Sequence, residues 1–319
     1  MDNKTNSKPA PQVDIALATY NGERYLLEFL NSIDRQTCAD WHLFAGDDGS
    51  TDSTVEILKA FAAVHPKQVT MLPRSNRLGA KANFSKVMSA CRSDYVLLAD
   101  QDDIWLPEKI ENTVQLMKEM EARYGSDVPL LVHTDASVCN AKGKIVSQSF
   151  WHYQKLNPQY GLKFKNLLVQ NVITGCTILV NRPLLDQALP IPPEAVMHDW
   201  WLGLAASGFG KISYVSKSML LYRQHTSNTI GAKRWSLRHA IREWQAGRTS
   251  LACRIEQTQR QAKAFRDQHR NLLAEENHRV INEYIDLAKA SPIERRIRAA
   301  KNGFHKCGGL RTLGFYWSL

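Results

Sequence analysis

Short apolar runs alternate with helix-spaced apolar positions from Val13 to Met120. The run from Val13 to Ala18 reads as a buried strand. Tyr25, Leu26, Phe29, Leu30 and Ile33 follow at spacings of three and four, which predicts a helix. Trp41 to Ala45 predicts a second strand, and Val55, Leu58, Phe61 and Ala62 a second helix. A strand over Val69 to Leu72, a helix around Phe84, Val87 and Met88, a strand over Tyr95 to Ala99 and a helix over Pro107 to Met120 complete the series. Strands alternating with helices of this length imply βαβ units, right-handed crossovers and a mostly parallel sheet flanked by helices, a Rossmann-like α/β architecture.

The rhythm changes after Pro129. Leu130 to Val138 and Ile173 to Asn181 predict strands, Asp199 to Ser207 a helix, and Ile212 to Tyr222 one or two strands extending the same sheet. From Arg234 the pattern is helical, with Leu237, Ile241, Trp244, Leu251, Ile255, Ala262, Phe265 and Leu272 forming one stripe and Gly247-Arg248 marking a bend. Ile293, Ile297, Ala300 and Phe304 form a second stripe, set among Arg295, Arg296, Arg298 and Lys301. Three segments are expected: a flexible polar N-terminus over 1–11, an α/β domain over 12–230 and a basic α-helical region over 231–319.

Composition narrows the class. The 319 residues are 44% apolar and 23% charged, which excludes collagen-like and disordered chains. No run approaches the roughly 18 apolar residues needed to span a bilayer. Met1 to Gln12 lacks the apolar core of a secretion signal. The six cysteines are scattered without zinc or redox spacing, so a reduced, cytoplasmic setting is expected. Charge then divides the chain. Residues 1–230 hold 23 basic and 23 acidic side chains, whereas residues 231–319 hold 18 and 8, so the net charge of +10 sits in the last segment. A basic piece on a neutral one implies an anionic partner, membrane or nucleic acid.

Polar clusters follow four strands in turn: Thr19-Tyr20-Asn21-Gly22, Asp47-Asp48-Gly49-Ser50, Asn76-Arg77-Leu78-Gly79 and Asp100-Gln101-Asp102-Asp103. In open α/β sheets ligands bind outside the carboxyl ends of the strands. In extended chain Asp100 and Asp102 would point the same way, and two such carboxylates favour a hard divalent cation, Mg²⁺ or Mn²⁺. The alternative for Asp100 to Asp103 is a solvated acidic turn capping the next helix. Asp199, in His198-Asp199-Trp200-Trp201, is either a general base at a pocket rim or a helix-start carboxylate favoured by the dipole. His225 is a candidate metal or phosphate ligand, or a surface histidine; Arg223 is a candidate anion contact. Thr174 and Gly175 open the 173–181 strand, where a glycine serves either ligand approach or a bend. P-loop, dinucleotide, Gly-x-Ser-x-Gly and His-Glu-x-x-His signatures are absent.

In this order, A-T-Y-N-G-E-R-Y-L, D-D-G-S-T-D, N-x-x-G and A-D-Q-D-D-I-W-L-P-x-K resemble a family 2 inverting glycosyltransferase of GT-A fold, over Val13 to Asn228. The T-G-C-T, H-D-W-W and Y-R-Q-H elements are similar to its rhamnosyltransferase-like branch, which builds bacterial surface polysaccharides. The resemblance implies transfer of a sugar, rhamnose by the branch it resembles, from a nucleoside-diphosphate donor to a saccharide hydroxyl. It implies nucleotide contacts at Thr19, Tyr20, Asn21, Asp48 and Asp100, metal ligands at Asp102 and His225, and a base at Asp199. Thr174, Gly175 and Arg223 would meet the acceptor or the diphosphate. Much of the family carries its base in a Glu-Asp pair, and here the pair is His198-Asp199. A nucleotidyltransferase or other metal-dependent phosphoryl-transfer enzyme would need a Gly-rich phosphate loop after the first strand, where Thr19 to Arg24 has one glycine. A nucleic-acid-binding protein would leave the acid-edged domain without a purpose. The basic region is therefore expected either to pack on the catalytic domain or a second subunit, or to meet an anionic membrane that presents a lipid-linked acceptor.

Overall fold

The structure is a computed structural model that describes residues 12–74, 77–226, 231 and 248–319. The N-terminal segment, Asn76, the stripe members Leu237, Ile241 and Trp244, and Gly247 lie outside the described residues.

The first half follows the alternation of the sequence. It runs β1 (Val13–Thr19), α1 (Leu26–Asp34), β2 (Trp41–Asp47), α2 (Thr54–Val64), β3 (Val69–Met71), α3 (Ala80–Ala90) and β4 (Tyr95–Asp100). These strands pair in parallel in the order β3-β2-β1-β4. Along β1, Ile15 and Leu17 enter one apolar layer and Ala16 the other, the period-two alternation of a sheet covered on both faces. Asp14 is buried on the same strand, where it accepts the Ser93 N–H at 2.8 Å and the Ser93 hydroxyl at 2.7 Å.

The chain continues through β5 (Ile104–Trp105), α4 (Lys109–Tyr124), β6 (Leu130–Asn140), β7 (Ile145–Ser147), α5 (Phe150–Gln154), α6 (Phe164–Val169), β8 (Leu179–Asn181), α7 (Arg182–Ala188), α8 (His198–Phe209) and β9 (Lys211–Gln224). The sheet extends as β4-β8-β6-β9-β5, with β7 on β6. Antiparallel neighbours enter here: β8 opposes both β4 and β6, while β9 runs parallel to β6. The strand expected over 173–181 is only its last three residues. A 3-10 turn at Gly175–Thr177 precedes it, tied by the Thr177 hydroxyl to the Thr174 carbonyl at 2.6 Å.

Four described helices follow: α9 (Arg248–Gln268), α10 (Glu275–Asp286), α11 (Pro292–Lys301) and α12 (Gly309–Ser318). Phe265, Ile281, Tyr284, Phe304 and Phe315 join Val172, Ile178 and Trp201 in one core, so this region packs on the α/β domain. The stripe expected to continue to Leu272 stops at Gln268, and Leu272 is exposed. In α11 the inward residue is Ala299, while Ile293 and Ile297 are 71% and 62% exposed. No helix among the described residues is long and apolar enough to cross a membrane.

Candidate active site

The ends of β1 and β2 form one locked turn. Asn21 takes a left-handed conformation, φ 45°, which asparagine tolerates better than most residues. The N–H groups of Tyr20, Asn21, Gly22 and Glu23 donate to side chains of Gln101 (3.0 Å), Ser50 (2.9 Å), Thr54 (2.7 Å) and Asp52 (3.1 Å). With all four amides engaged, this loop cannot cradle a phosphate, which removes the main structural requirement of the phosphoryl-transfer reading. Gln101 returns a bond from its amide to the Tyr20 carbonyl at 2.9 Å, and a Cβ at Gly22 would fall 2.1 Å from Gln101 Oε1. The Tyr20 ring carries the Arg77 guanidinium at 4.3 Å.

The two consecutive aspartates divide their work. Asp47 accepts the backbone N–H groups of Gly49 and Ser50, and the Thr19 hydroxyl at 3.2 Å, which folds the turn. Asp48 accepts the N–H groups of Leu78 (2.6 Å) and Gly79 (2.9 Å) and thereby fixes the start of α3 beside β2.

The acidic cluster is shaped by a turn rather than by an extended strand. β4 ends at Asp100, and the chain reverses so that Asp100, Asp103 and Cys176 bring ligand atoms within 4.8 Å of one another. Burial, then the charges of Asp102 and Asp199, push the Asp100 carboxyl up to about 7. Burial likewise pushes Asp103 well up. Lys109, wholly buried, sits beneath them; its ammonium donates to the Cys176 carbonyl at 2.6 Å and lies 3.9 Å from the Trp105 ring centroid. Burial lowers Lys109 to about 8 and raises the Cys176 thiol well above its ordinary range. A protonated thiol beside a resident ammonium is a poor set for Mg²⁺ or Mn²⁺. Asp102 and His225 offer the better fit. His225 Nε2 lies 2.8 Å from Asp102 Oδ2, and a carboxylate with an imidazole suits Mn²⁺.

Arg223 lies behind this pair and does not line the cavity. Tyr222 points into the cavity, so its strand neighbour points away. The Arg223 guanidinium is buried, donating to the Asp102 carbonyl at 3.0 Å, the Ala141 carbonyl at 3.1 Å and Glu28 at 2.6 Å. Tyr25 is held between it and His225, at 4.7 Å from each.

Asp199 stands in the first turn of α8 and is buried. It accepts the Trp200 N–H at 2.7 Å, and the Asn171 side chain and Gly175 backbone also bond to it. Burial nevertheless outweighs these bonds and pushes its carboxyl up to about 7. The His198 ring stacks on Phe84 at 4.0 Å, and a Cβ at Gly175 would fall 2.8 Å from its Nε2. Glycine at 175 is therefore required by the approach of His198.

A cavity of about 1200 Å³ is lined by Thr19, Tyr20, Asn21, Asp48, Asp100, Asp102, Thr174, Gly175, Asp199 and His225, which is every candidate except Arg223. Gln101, Arg77 and Lys109 stand within the strand-end clusters and motifs of the sequence and Tyr25 within its first helical stripe, but the sequence assigns none of them a role in the site. Lys109 was detectable as a lysine among apolar positions of α4, beside Ile110, Thr113 and Met117. Residues of α9 and α12 close the far side of the cavity.

The fold recurs among solved structures that hold a nucleotide or a nucleotide sugar. TarS residues 1–349 from S. aureus in complex with UDP superposes with TM-score 0.56 at 15% identity, covering 90% of this chain and 77% of that one. The mannosyltransferase PcManGT from Pyrobaculum calidifontis, in complex with GDP-Man and Mn²⁺, gives 0.53 at 15% identity, covering 91% and 75%. In sequence, dTDP-rhamnosyl transferase RfbG of Shigella flexneri is 30% identical over 229 residues, 68% of this chain and 74% of that protein. The profile of glycosyl transferase family 2 matches residues 14–186, the span that carries the locked turn, the acidic cluster and Lys109. The GT-A architecture, the order of the strand-end clusters and this match agree: the chain is a glycosyltransferase and belongs to glycosyl transferase family 2.

Proposed function

We propose that this enzyme transfers a sugar from a nucleoside-diphosphate donor to a saccharide hydroxyl with inversion, using a divalent cation and Asp199 as general base. The observation that carries the reading is Asp199 itself. It is a buried carboxyl pushed up to about 7, in the same cavity as Asp100 and Asp102 and within electrostatic reach of Asp100. A base of that basicity is half ionised near neutral pH, the condition for efficient proton abstraction.

The donor nucleotide occupies the edge formed by Thr19, Tyr20, Asn21, Asp48 and Asp100, with the Tyr20–Arg77 stack at its side. Asp102 and His225 hold Mn²⁺ or Mg²⁺, which when bound neutralises charge on the departing diphosphate. Arg223 keeps the Asp102 main chain and the Tyr25–His225 stack in place for that task. The acceptor enters beside Thr174 and Gly175, and Asp199 takes its hydroxyl proton as the oxygen attacks. The cavity's other carboxylates are Asp48, which grips Leu78 and Gly79, and the Asp100–Asp102 pair, so among the described residues one carboxylate remains for the acceptor. One base and no second carboxylate nucleophile suit a single displacement.

Rhamnose is the sugar we favour, on the strength of the name of the Shigella relative. The acceptor we favour is a lipid-linked saccharide in surface polysaccharide synthesis, met on the cytoplasmic face by a peripheral enzyme. The test is a panel of thymidine-, uridine- and guanosine-diphosphate sugars with Mn²⁺, read by release of nucleoside diphosphate. One donor should turn over, and none should if the reading is wrong.

A further inference from the structure

The outer faces of α11 and α12 are apolar where a water-facing helix would be polar. Ile293 and Ile297 are 71% and 62% exposed on α11, and Leu313 and Trp317 are 58% and 46% exposed on α12. Each pair is four residues apart, so each forms one stripe. Arg296 shares the Ile293–Ile297 face and donates to the Tyr316 carbonyl at 2.9 Å, one residue from Trp317, which brings the two stripes side by side. Large apolar side chains gathered this way on a surface mark an interaction site.

Charge identifies the partner. Residues 292–319 hold six basic side chains and one acidic one, Glu294. Arg295 and Arg296 donate to the Ala290, Ala288 and Tyr316 carbonyls, neutral acceptors that leave the positive charge of this face in place. A second copy of the chain would bring like charges together, whereas an anionic bilayer offers both the charge and the apolar layer that this face lacks. The same helix α12 turns Arg311, Gly314 and Phe315 into the cavity, while Leu310 belongs to both the cavity wall and the exposed stripe.

We infer that the α11–α12 face docks the enzyme on an anionic lipid surface and sets the acceptor end of the cavity against it. This deepens the proposed function and rests on its reading of a membrane-borne acceptor. Each Lys or Arg near an anionic leaflet contributes roughly fivefold in partitioning, lost as salt rises.

The full chain is sedimented with vesicles of phosphatidylcholine alone and of phosphatidylcholine with phosphatidylglycerol, at low and high salt. The double variant Ile297→Glu, Leu313→Glu changes only exposed side chains and keeps Phe304 and Phe315 in the core; Ile293→Glu, Trp317→Glu is the independent second pair. We expect binding to the phosphatidylglycerol vesicles only, weakened by salt and reduced at least tenfold in either pair. Release of nucleoside diphosphate from the soluble donor should be unchanged, so loss of docking is read apart from loss of catalysis. Absence of wild-type binding, or equal binding by both pairs, overturns the inference. So does a wild-type dimer in light scattering that the variants dissolve without any vesicle binding.

Discussion

Replacing Lys109 by methionine tests the electrostatic basis of the acidic edge. Methionine keeps most of the buried volume and removes the ammonium. The Cys176 carbonyl then loses its donor at 2.6 Å, and Asp100 and Asp103 lose the nearest buried cation. Breaking a buried ion pair typically costs about 3–5 kcal/mol. Burial already holds Lys109 down to about 8, so part of that cost returns when the ammonium is no longer desolvated. We therefore expect a loss of about 3 kcal/mol at pH 8, near the lower end of that range. The loss should depend on pH with a defined sign. Asp100 sits at about 7 in the folded chain against 3.8 in the unfolded one, so the folded state keeps a proton that the unfolded state releases. Stability from this group is full below pH 4 and falls as pH rises towards 7 and beyond. Removing the cation raises the folded carboxyls further, so the variant should lose little at pH 5 and most at pH 8. Urea unfolding at both values reads the difference, and a cycle with Asp103→Asn should give a coupling of about 0.5–3 kcal/mol. A cost below 1 kcal/mol at pH 8, or one equal at both pH values, would refute the reasoning.

Asp102→Asn or His225→Ala should weaken Mn²⁺ binding in calorimetric titration and lower turnover by about 10²–10³-fold; EDTA should abolish wild-type activity and Mn²⁺ or Mg²⁺ restore it, and full activity in EDTA would count against a metal. Because burial pushes Asp199 up to about 7 and it works ionised, kcat should climb about tenfold per pH unit to near pH 7 and level off above; a flat profile from pH 5.5 to 8 would exclude it as the base. Gly22→Ala drives a methyl group to within 2.1 Å of Gln101 Oε1 and should break the Tyr20–Gln101 pairing. Donor KM should rise about tenfold, as loss of a buried hydrogen-bonded pair implies, and an unchanged KM would show that the pairing does not shape the donor edge.

The βαβ half was legible because each strand is apolar and ends abruptly in polar residues that share one sheet edge. The mixed half was less so. Ile173 to Asn181 is largely buried whether it is strand or 3-10 turn, so burial does not separate the two, and the turn at Gly175–Thr177 is held by the local bond from the Thr177 hydroxyl to the Thr174 carbonyl. Spacing also identified α11 as a helix without saying which side faces in; Ala299 rather than Ile297 is buried. The stripe through Leu272 could not reveal the turn after Gln268, where the His269 carbonyl accepts the Leu272 and Leu273 N–H groups. Among site residues, Asp102 is marked by its pairing with Asp100 at a strand end that shares its edge with three other polar clusters, and Asp199 by the family resemblance, since a carboxylate at a helix start also suits the dipole. Arg223 alternates with Tyr222 along its strand, which sends it behind the cavity, a direction that the sequence motif alone does not state. Local pattern marks Lys109 as a lysine on a buried helix face but names neither its partner 67 residues away nor that of Gln101, 81 residues away.

The account turns on Asp199 as the base of a single displacement. With the donor that supports turnover, the anomeric configuration of the product is read by NMR for the wild type, and donor binding and turnover are then measured for Asp199→Asn. The account predicts an inverted product and a variant that binds donor as the wild type does but transfers about 10²–10⁴-fold more slowly. A retained configuration, or an Asp199→Asn enzyme that keeps its turnover, would contradict it.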